Sequence, residues 1–358
     1  MAHTSEGRNS LYVVHSQESH IETPWKICTL PPPTSADFVH MDQRYAELDQ
    51  VNESLAFLKQ LAADPSYDLH VARENWNLGD KLIDIRHIVG LARHFPDRRI
   101  RVDYNVLLGL NFIKYPENVI ESDRSRSRPH TALISLNQVY EPFVEDPHVT
   151  RDQAMLYAAS RLSGRDINIE QYNEPLFQFD RSALRALPTS SDVLIFPDAK
   201  SKAIRGENRL EYSRKSLSPS SWGAIFEKLD RQARYAIVRG TAFPDYCDAV
   251  IEQARSAGHT IDVVETDLNG IVRAILSTKK FVGMDSGTTH LADHVIKAAQ
   301  IAGREIAFRE IFAPVYAYRS YGISGAQRPT LCIPNYEPEL SVTTHDIDPQ
   351  LAADFISS

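Results

Sequence analysis

Between Val193 and Ala302 short apolar runs alternate with amphipathic stretches without interruption, and this alternation constrains the fold more than any other property of the chain. Val193-Leu-Ile-Phe196, Tyr235-Ala-Ile-Val238, Thr260 to Val264 and Lys280-Phe-Val-Gly-Met284 read as strands. Ser221 to Gln232, Tyr246 to Ala257, Leu268 to Leu276 and Thr289 to Ala302 read as helices. Strands joined in succession by helices run parallel, so the spacing predicts a doubly wound α/β sheet.

An earlier part of the chain repeats the pattern. Leu69-His-Val-Ala72 reads as a strand, and Asp80 to His94 as a helix with Leu82, Ile85, Ile88, Val89 and Leu91 on its buried stripe. Pro96-Asp97 stops that helix and Ile100-Arg-Val102 resumes as strand. Thr131 to Leu136 is a further strand, and Arg151 to Leu162 a helix closed by Ser163-Gly164. Asp180 to Asp192 reads as a linker. With 358 residues, too many for one core, the chain is expected to hold two doubly wound domains facing one another across a cleft.

The expected divisions are an N-terminal extension over 1–66, a first Rossmann-like domain over 67–187, a second over 188–345, and a C-terminal helix over 346–358. The extension holds an apolar patch, Leu11-Tyr-Val-Val14, the extended segment Pro31-Pro-Pro33, and an expected helix from Tyr45 to Leu61.

Composition limits the partners. The formal charge is -8, from 39 basic and 47 acidic residues, and no long basic run offers a nucleic-acid surface. The three cysteines, Cys28, Cys247 and Cys332, lie far apart without CxxC spacing, which argues against a disulfide framework or structural zinc. The start, Met1-Ala-His-Thr-Ser-Glu6, lacks the basic and apolar regions of a signal peptide, and no apolar run reaches membrane-spanning length. A cytoplasmic protein with reduced thiols is the expectation. Arg124-Ser-Arg-Ser-Arg128 suits either a phosphorylated acceptor or a solvated loop.

The turn after Met284 carries the most chemistry. Ligands of open parallel sheets bind beyond the carboxyl ends of strands, where helix N-termini direct amide N–H groups at anions. Asp285-Ser-Gly-Thr-Thr-His290 occupies such an end. Gly287 permits close backbone approach to a phosphate, and Ser286, Thr288 and Thr289 supply hydroxyls. The plain alternative is that Asp285 or Ser286 only caps the next helix.

Phe281-Val-Gly-Met-Asp-Ser-Gly-Thr-Thr-His-Leu-Ala292 resembles the strand-turn-helix signature of glycosyltransferase family 9, the lipopolysaccharide heptosyltransferases and their relatives. Leu78-Gly-Asp80 with Arg93-His-Phe-Pro-Asp97 resembles the family's Gly-Asp turn and helix end. Lys215 with Trp222 is similar to its Lys and Trp segment, although Leu217-Ser218 stands where the family has Trp-Pro. Phe312-Ala-Pro314 with Arg319-Ser-Tyr-Gly322 is similar to its late phosphate-side loop. The resemblance covers about residues 68 to 325 and departs in the extension, in a shorter first domain, and in the acidic ribose contact expected after Gly240, for which Asp245 is the nearest candidate.

That resemblance implies a GT-B fold and inverting transfer of a sugar, a heptose-like one being a candidate, from a nucleoside diphosphate to an acceptor hydroxyl. The donor is a substrate, an ADP-sugar being one candidate; no cofactor and no metal are implied. Asp80 would be the general base, and Lys215 with Asp285, Ser286, Gly287, Thr288, Thr289 and His290 would bind the donor. Read without the resemblance, Asp80 is a plain N-cap or a first-turn acid, Lys215 a solvated lysine and His290 a packed histidine. The one Asp-x-Asp, Asp346-Ile-Asp348, precedes Pro349 and reads as a cap rather than a metal site.

Three other classes compete. Polysaccharide pyruvyl transferases also use an Asn-Leu-Gly-Asp turn, here Asn77 to Asp80, but the Asp285 to His290 pattern fits them poorly. A noncatalytic sugar-nucleotide binding protein would keep the fold without turnover. A serine hydrolase fits least, because Gly283-Met-Asp-Ser286-Gly does not form the Gly-x-Ser-x-Gly elbow.

Overall fold

The computed structural model describes residues 27–28, 68–71, 77–103, 107–122, 131–134, 175–200, 203–205, 210–312, 328–332 and 347–358. The apolar patch at 11–14, the prolines 31–33, the expected helices 45–61 and 151–162, the basic stretch 124–128 and the loop residues 313–314 and 319–322 lie outside them. The chain divides into two compact units, one formed by 1–29, 177–316 and 327–358, the other by 30–176 and 317–326. Among the described residues no helix is long and apolar enough to cross a membrane.

Strand β1 (Ile27–Cys28) belongs to the first of these units. The second unit contains β2 (Asp68–Val71), α1 (Leu78–His94), β3 (Ile100–Asp103), β4 (Val119–Ser122) and β5 (Thr131–Ile134). Its strands lie in the order β4-β3-β2-β5, all parallel. Leu82, Ile85, Ile88, Val89 and Leu91 are all buried, so the stripe read from the sequence is the packed face of α1. Asn118 donates from its side chain to the carbonyls of Ala92, Phe95 and Arg98, which satisfies acceptors exposed where α1 ends.

After β1, the other unit resumes ahead of α2 (Arg181–Ala186), which lies within the stretch expected to be a plain linker. Asp180 nucleates this helix by accepting from the Ala183 amide at 2.8 Å, and the Arg304 guanidinium closes it on the carbonyls of Leu184 and Leu187. The remaining elements are β6 (Ser191–Phe196), β7 (Ala203–Arg205), β8 (Glu211–Ser213), α3 (Pro219–Phe226), β9 (Tyr235–Val238), α4 (Pro244–Ser256), β10 (Ile261–Val264), α5 (Leu268–Leu276), β11 (Thr278–Met284), α6 (Gly287–Ile301), β12 (Ala307–Phe312), β13 (Arg328–Cys332) and α7 (Pro349–Ser357).

Seven strands form the sheet β1-β13-β12-β11-β6-β9-β10, parallel except where β1 joins β13 antiparallel. β7 and β8 form a separate antiparallel pair. The doubly wound α/β class expected from the alternation is therefore present in both units. Helix α3 ends at Phe226, earlier than the expected Gln232, because the amides of Lys228 and Leu229 bond back three residues to Ile225 and Phe226. α4 and α6 end on Gly258 (φ 92) and Gly303 (φ 87), left-handed positions that let the next amides cap the last carbonyls.

The core of this unit sits against α3, α4 and α7. Trp222, Phe226, Tyr246 and Phe355 are fully buried there, the two phenylalanines each worth about 1.5–3 kcal/mol of hydrophobic transfer. Asp348 caps α7 by accepting from the Gln350 amide at 2.9 Å, the role expected of it. Lys280 donates to the carbonyls of Ile356 and Ser357 at 2.6 and 2.7 Å, fastening the end of α7 to β11.

Candidate functional site

The site builds from strand order. The chain runs from β6 outward to β9 and β10, then returns to β11 on the other side of β6 and continues to β12. Neighbouring connections diverge at such a reversal, leaving a crevice beyond the strand ends where ligands of doubly wound sheets bind. Phe196 of β6 pairs with Gly283 of β11, so Asp198 and Asp285 each follow two residues beyond paired positions at this reversal.

Lys215 reaches the same place from the β6–α3 connection. After β8 the chain turns tightly, the Ser216 amide donating to the Ser213 carbonyl at 2.9 Å and the Lys215 amide to Ser213 Oγ at 3.1 Å. From that turn Lys215 Nζ donates to Asp285 Oδ2 at 2.7 Å. The two side chains are 21% and 14% exposed, enough shielding to strengthen the pair and enough opening for a ligand to reach it.

The turn that presents Asp285 is fixed from within. Ser286 is the N-cap of α6, its Oγ accepting from the Thr289 amide at 3.3 Å. Thr289 Oγ1 donates to the Met284 carbonyl, and the His290 amide donates to the Ser286 carbonyl at 3.1 Å. A Cβ on Gly283 would run into the Thr289 hydroxyl and the Phe281 ring, so glycine at 283 is what lets the turn fold this close to its strand. Ser286, Thr288 and Thr289 are buried, while Gly287 and His290 are half-buried.

These contacts redistribute the roles read from the sequence. Capping falls to Ser286, while Asp285 holds the lysine. The hydroxyls of Ser286 and Thr289 are engaged inside the turn. A first helical turn leaves amides without intrahelical partners, and the Ser286 cap uses only that of Thr289. What the turn offers an anion is thus the amide edge at Gly287 and Thr288, the positive end of a 15-residue helix, and the Lys215 ammonium beside it.

Asp80 lies in the other unit, half-buried in the first turn of α1. The N-cap position belongs to Asn77, which makes no side-chain cap bond, so Asp80 is a first-turn acid and not the cap. α1 follows β2, and β2 lies between β3 and β5, the point where this sheet's order also reverses. Asp245 is exposed in the first turn of α4.

Sequence reasoning missed Asp198. It is 2% exposed, its Oδ2 accepts from the Phe243 amide at 3.3 Å, and its Oδ1 has no hydrogen-bond partner among the described residues. Burial pushes its carboxyl up, against the lowering effect of the Phe243 and Ala199 amides. The available signal was a carboxylate directly after an apolar strand, in Phe196-Pro-Asp198. Among the described residues no group of three or more His, Cys, Asp or Glu side chains is arranged to hold a metal ion.

The sequence matches no protein-family model and none of the curated proteins. Among solved structures it is similar to E. coli heptosyltransferase WaaC with ADP-2-deoxy-2-fluoro heptose, at 14% identity over 76% of this chain and 95% of that one, with a TM-score of 0.44. It is also similar to E. coli ADP-heptose lps heptosyltransferase II, at 13% identity over 81% and 97% of the two chains, with a TM-score of 0.47. The glycosyl transferase family 9 protein of Veillonella parvula gives 12% identity over 74% and 85%, with a TM-score of 0.45.

Proposed function

We propose that this chain is an inverting glycosyltransferase that moves a sugar from a nucleoside-diphosphate donor to an acceptor hydroxyl. The carrying observation is the Lys215–Asp285 ion pair, 2.7 Å long, beside the first turn of α6 at the reversal of the sheet. It supplies what a departing diphosphate requires: a positive charge held in place and amide donors that need no rearrangement when charge develops.

In this reading the acceptor oxygen attacks the anomeric carbon as the bond from that carbon to the diphosphate oxygen breaks. The bonding pair leaves with the diphosphate. A lysine ammonium has three donors, so Lys215 keeps Asp285 with one and meets phosphate oxygen with another. The amides of Gly287 and Thr288 take further charge. Asp285 acts by orienting the lysine, and Ser286 and Thr289 act by holding the turn. His290 is assigned to the donor side of the same turn.

Asp80 is assigned the acceptor proton. An ionised carboxylate suits that task, and the resemblance of Leu78-Gly-Asp80 to the Gly-Asp turn of glycosyltransferase family 9 supports it. The lysine and helix terminus meet the diphosphate charge without a metal in this scheme. An ADP-linked, heptose-like sugar is the first donor to test, and the cytoplasm, where nucleotide sugars are made, is the expected location.

A thermal-shift panel of ADP, UDP, GDP and dTDP tests the reading. A ligand bound only by the native state at a hundred times its Kd stabilises by about 2.7 kcal/mol, a readily measured rise in melting temperature. If none of the four raises it, the transferase reading falls.

A further inference from the structure

The connection carrying Lys215 is long. It leaves β6 at Pro197, makes the β7–β8 pair and the Lys215 turn, and reaches Leu217 before entering α3. Asp285 holds the ammonium at its tip, but the backbone of such an excursion lies beyond the register of β6, so its placement depends on what ties its ends.

Both ends meet one hydroxyl. The Tyr246 side chain, fully buried on α4, places its OH 2.7 Å from the Leu217 carbonyl and 3.2 Å from the Pro197 carbonyl. Trp222 Nε1 donates to the same oxygen at 3.1 Å. A phenol has one proton to give, so the shorter Leu217 contact is its principal bond, Pro197 shares the proton weakly, and the lone pair receives the indole N–H. Burial holds the phenol protonated, which keeps that donor in place. The ring also stacks on Tyr212 of β8, with centroids 5.2 Å apart and planes 20° apart.

Apolar packing alone does not call for this hydroxyl. Phenylalanine would fill nearly the same volume, yet it would leave the Trp222 N–H and the Leu217 carbonyl buried without their partner. The hydroxyl instead joins the start of the excursion, its end and the packing of α3 onto α4. Leu217 is two residues from Lys215, so the tie at this end bears directly on where the ammonium sits.

We infer that Tyr246 is a positioning residue that holds Lys215 at the diphosphate site by tying Pro197 and Leu217 to α4. The inference rests on the donor-site reading for its functional consequence, and on the hydroxyl contacts alone for its structural one.

Tyr246→Phe separates the two. Hydrogen exchange on the ligand-free protein should show faster exchange of the amides between 197 and 217 with α4 and the sheet unchanged; unchanged exchange in this segment overturns the brace. With whichever nucleoside diphosphate binds the wild type, Tyr246→Phe should raise Kd about threefold, the part of one hydrogen bond's worth that is transmitted to the lysine. Lys215→Ala should do at least as much, and the double variant should be no weaker than Lys215→Ala alone, since residues acting through one another are not additive. Multiplying effects would mean that Tyr246 does not act through Lys215 and would overturn the proposal.

Trp222→Phe is the control for general destabilisation. It removes the indole donor, leaves both carbonyl contacts, and should lower the melting temperature without raising Kd. An equal rise in Kd for this variant also overturns the proposal. If no nucleoside diphosphate binds the wild type, the donor reading fails, and the exchange result still decides the brace.

Discussion

Lys215 and Asp285 are 70 positions apart in the chain, yet their charged ends meet at 2.7 Å, one brought by the β6–α3 connection and the other by the end of β11. A solvent-exposed ion pair contributes little, but this one is mostly shielded and sits where the connections leaving two neighbouring strands diverge. Its worth lies in orientation. The carboxylate fixes the ammonium before any ligand arrives, so the charge need not be reorganised during reaction.

The two members of the pair should therefore respond differently to substitution. Lys215→Ala removes the cation and is expected to lower turnover about a hundredfold or more. Asp285→Asn keeps a polar partner but loosens the lysine. It should leave nucleoside-diphosphate affinity within about threefold while lowering turnover about tenfold, because misplacement acts most strongly on the transition state. Steady-state kinetics with calorimetric Kd values would resolve this; equal losses of affinity in both variants would mark Asp285 as a direct ligand instead.

Asp80→Asn tests the base. The amide is isosteric with the carboxylate and cannot take a proton, so transfer should fall at least about a hundredfold while nucleoside-diphosphate affinity stays within about twofold. A radiolabelled transfer assay and calorimetry on the same preparation measure both. Full activity in this variant would return Asp80 to an acid that merely favours the helix dipole.

Ser286 is a structural residue of the same turn, and its removal should register in stability. Ser286→Ala withdraws the acceptor of the Thr289 amide and should cost about 1 kcal/mol in urea unfolding. Gly283→Ala should cost more, roughly 1–3 kcal/mol, since the added methyl meets the Phe281 ring 2.7 Å away and the Thr289 hydroxyl. If Gly283→Ala is neutral, the close packing of turn on strand is not what selects glycine at 283.

The parts of this architecture that sequence could reveal are those governed by local periodicity. Leu82, Ile85 and Ile88 mark the face of α1, and Leu268 to Leu276 bounds α5 as written in the pattern. Short edge strands such as β7 and β8, and the helix α2 hidden in a polar connection, carry too few residues for a period to emerge. The turn at 285–290 was legible because strand-end chemistry concentrates in consecutive residues. The partnership of Asp285 with Lys215 was not, because it depends on how β6 and β11 come to be neighbours. Tyr246 was hidden for the same reason. A tyrosine on an apolar helical face reads as core, and only the fold discloses that its hydroxyl meets two carbonyls of a remote connection.

Cys247 gives the alkaline limb of stability its sign. The thiol is fully buried, and burial, reinforced by the nearby Asp198 carboxylate, pushes it from 9.0 up to about 12. In the unfolded chain the thiol ionises near its ordinary value, so above that pH the unfolded state holds fewer protons than the native state, and stability falls as pH rises. The contribution is fully present below about 9 and is lost progressively toward 12. Tyr115 and Tyr235, each pushed by burial from 10.0 to about 12, act in the same direction at slightly higher pH. Lys280 opposes them: burial lowers it from 10.5 to about 8, so its unfavourable native charge is relieved as pH rises between those values. Comparing wild type with Cys247→Ala cancels the tyrosine and lysine effects. The stability difference between the two proteins should stay constant below pH 9 and shrink by about 1.4 kcal/mol for each pH unit from there toward 12. Urea unfolding from pH 7 to 10.5 measures it, and a difference that does not change with pH would mean that the native thiol ionises as readily as the unfolded one.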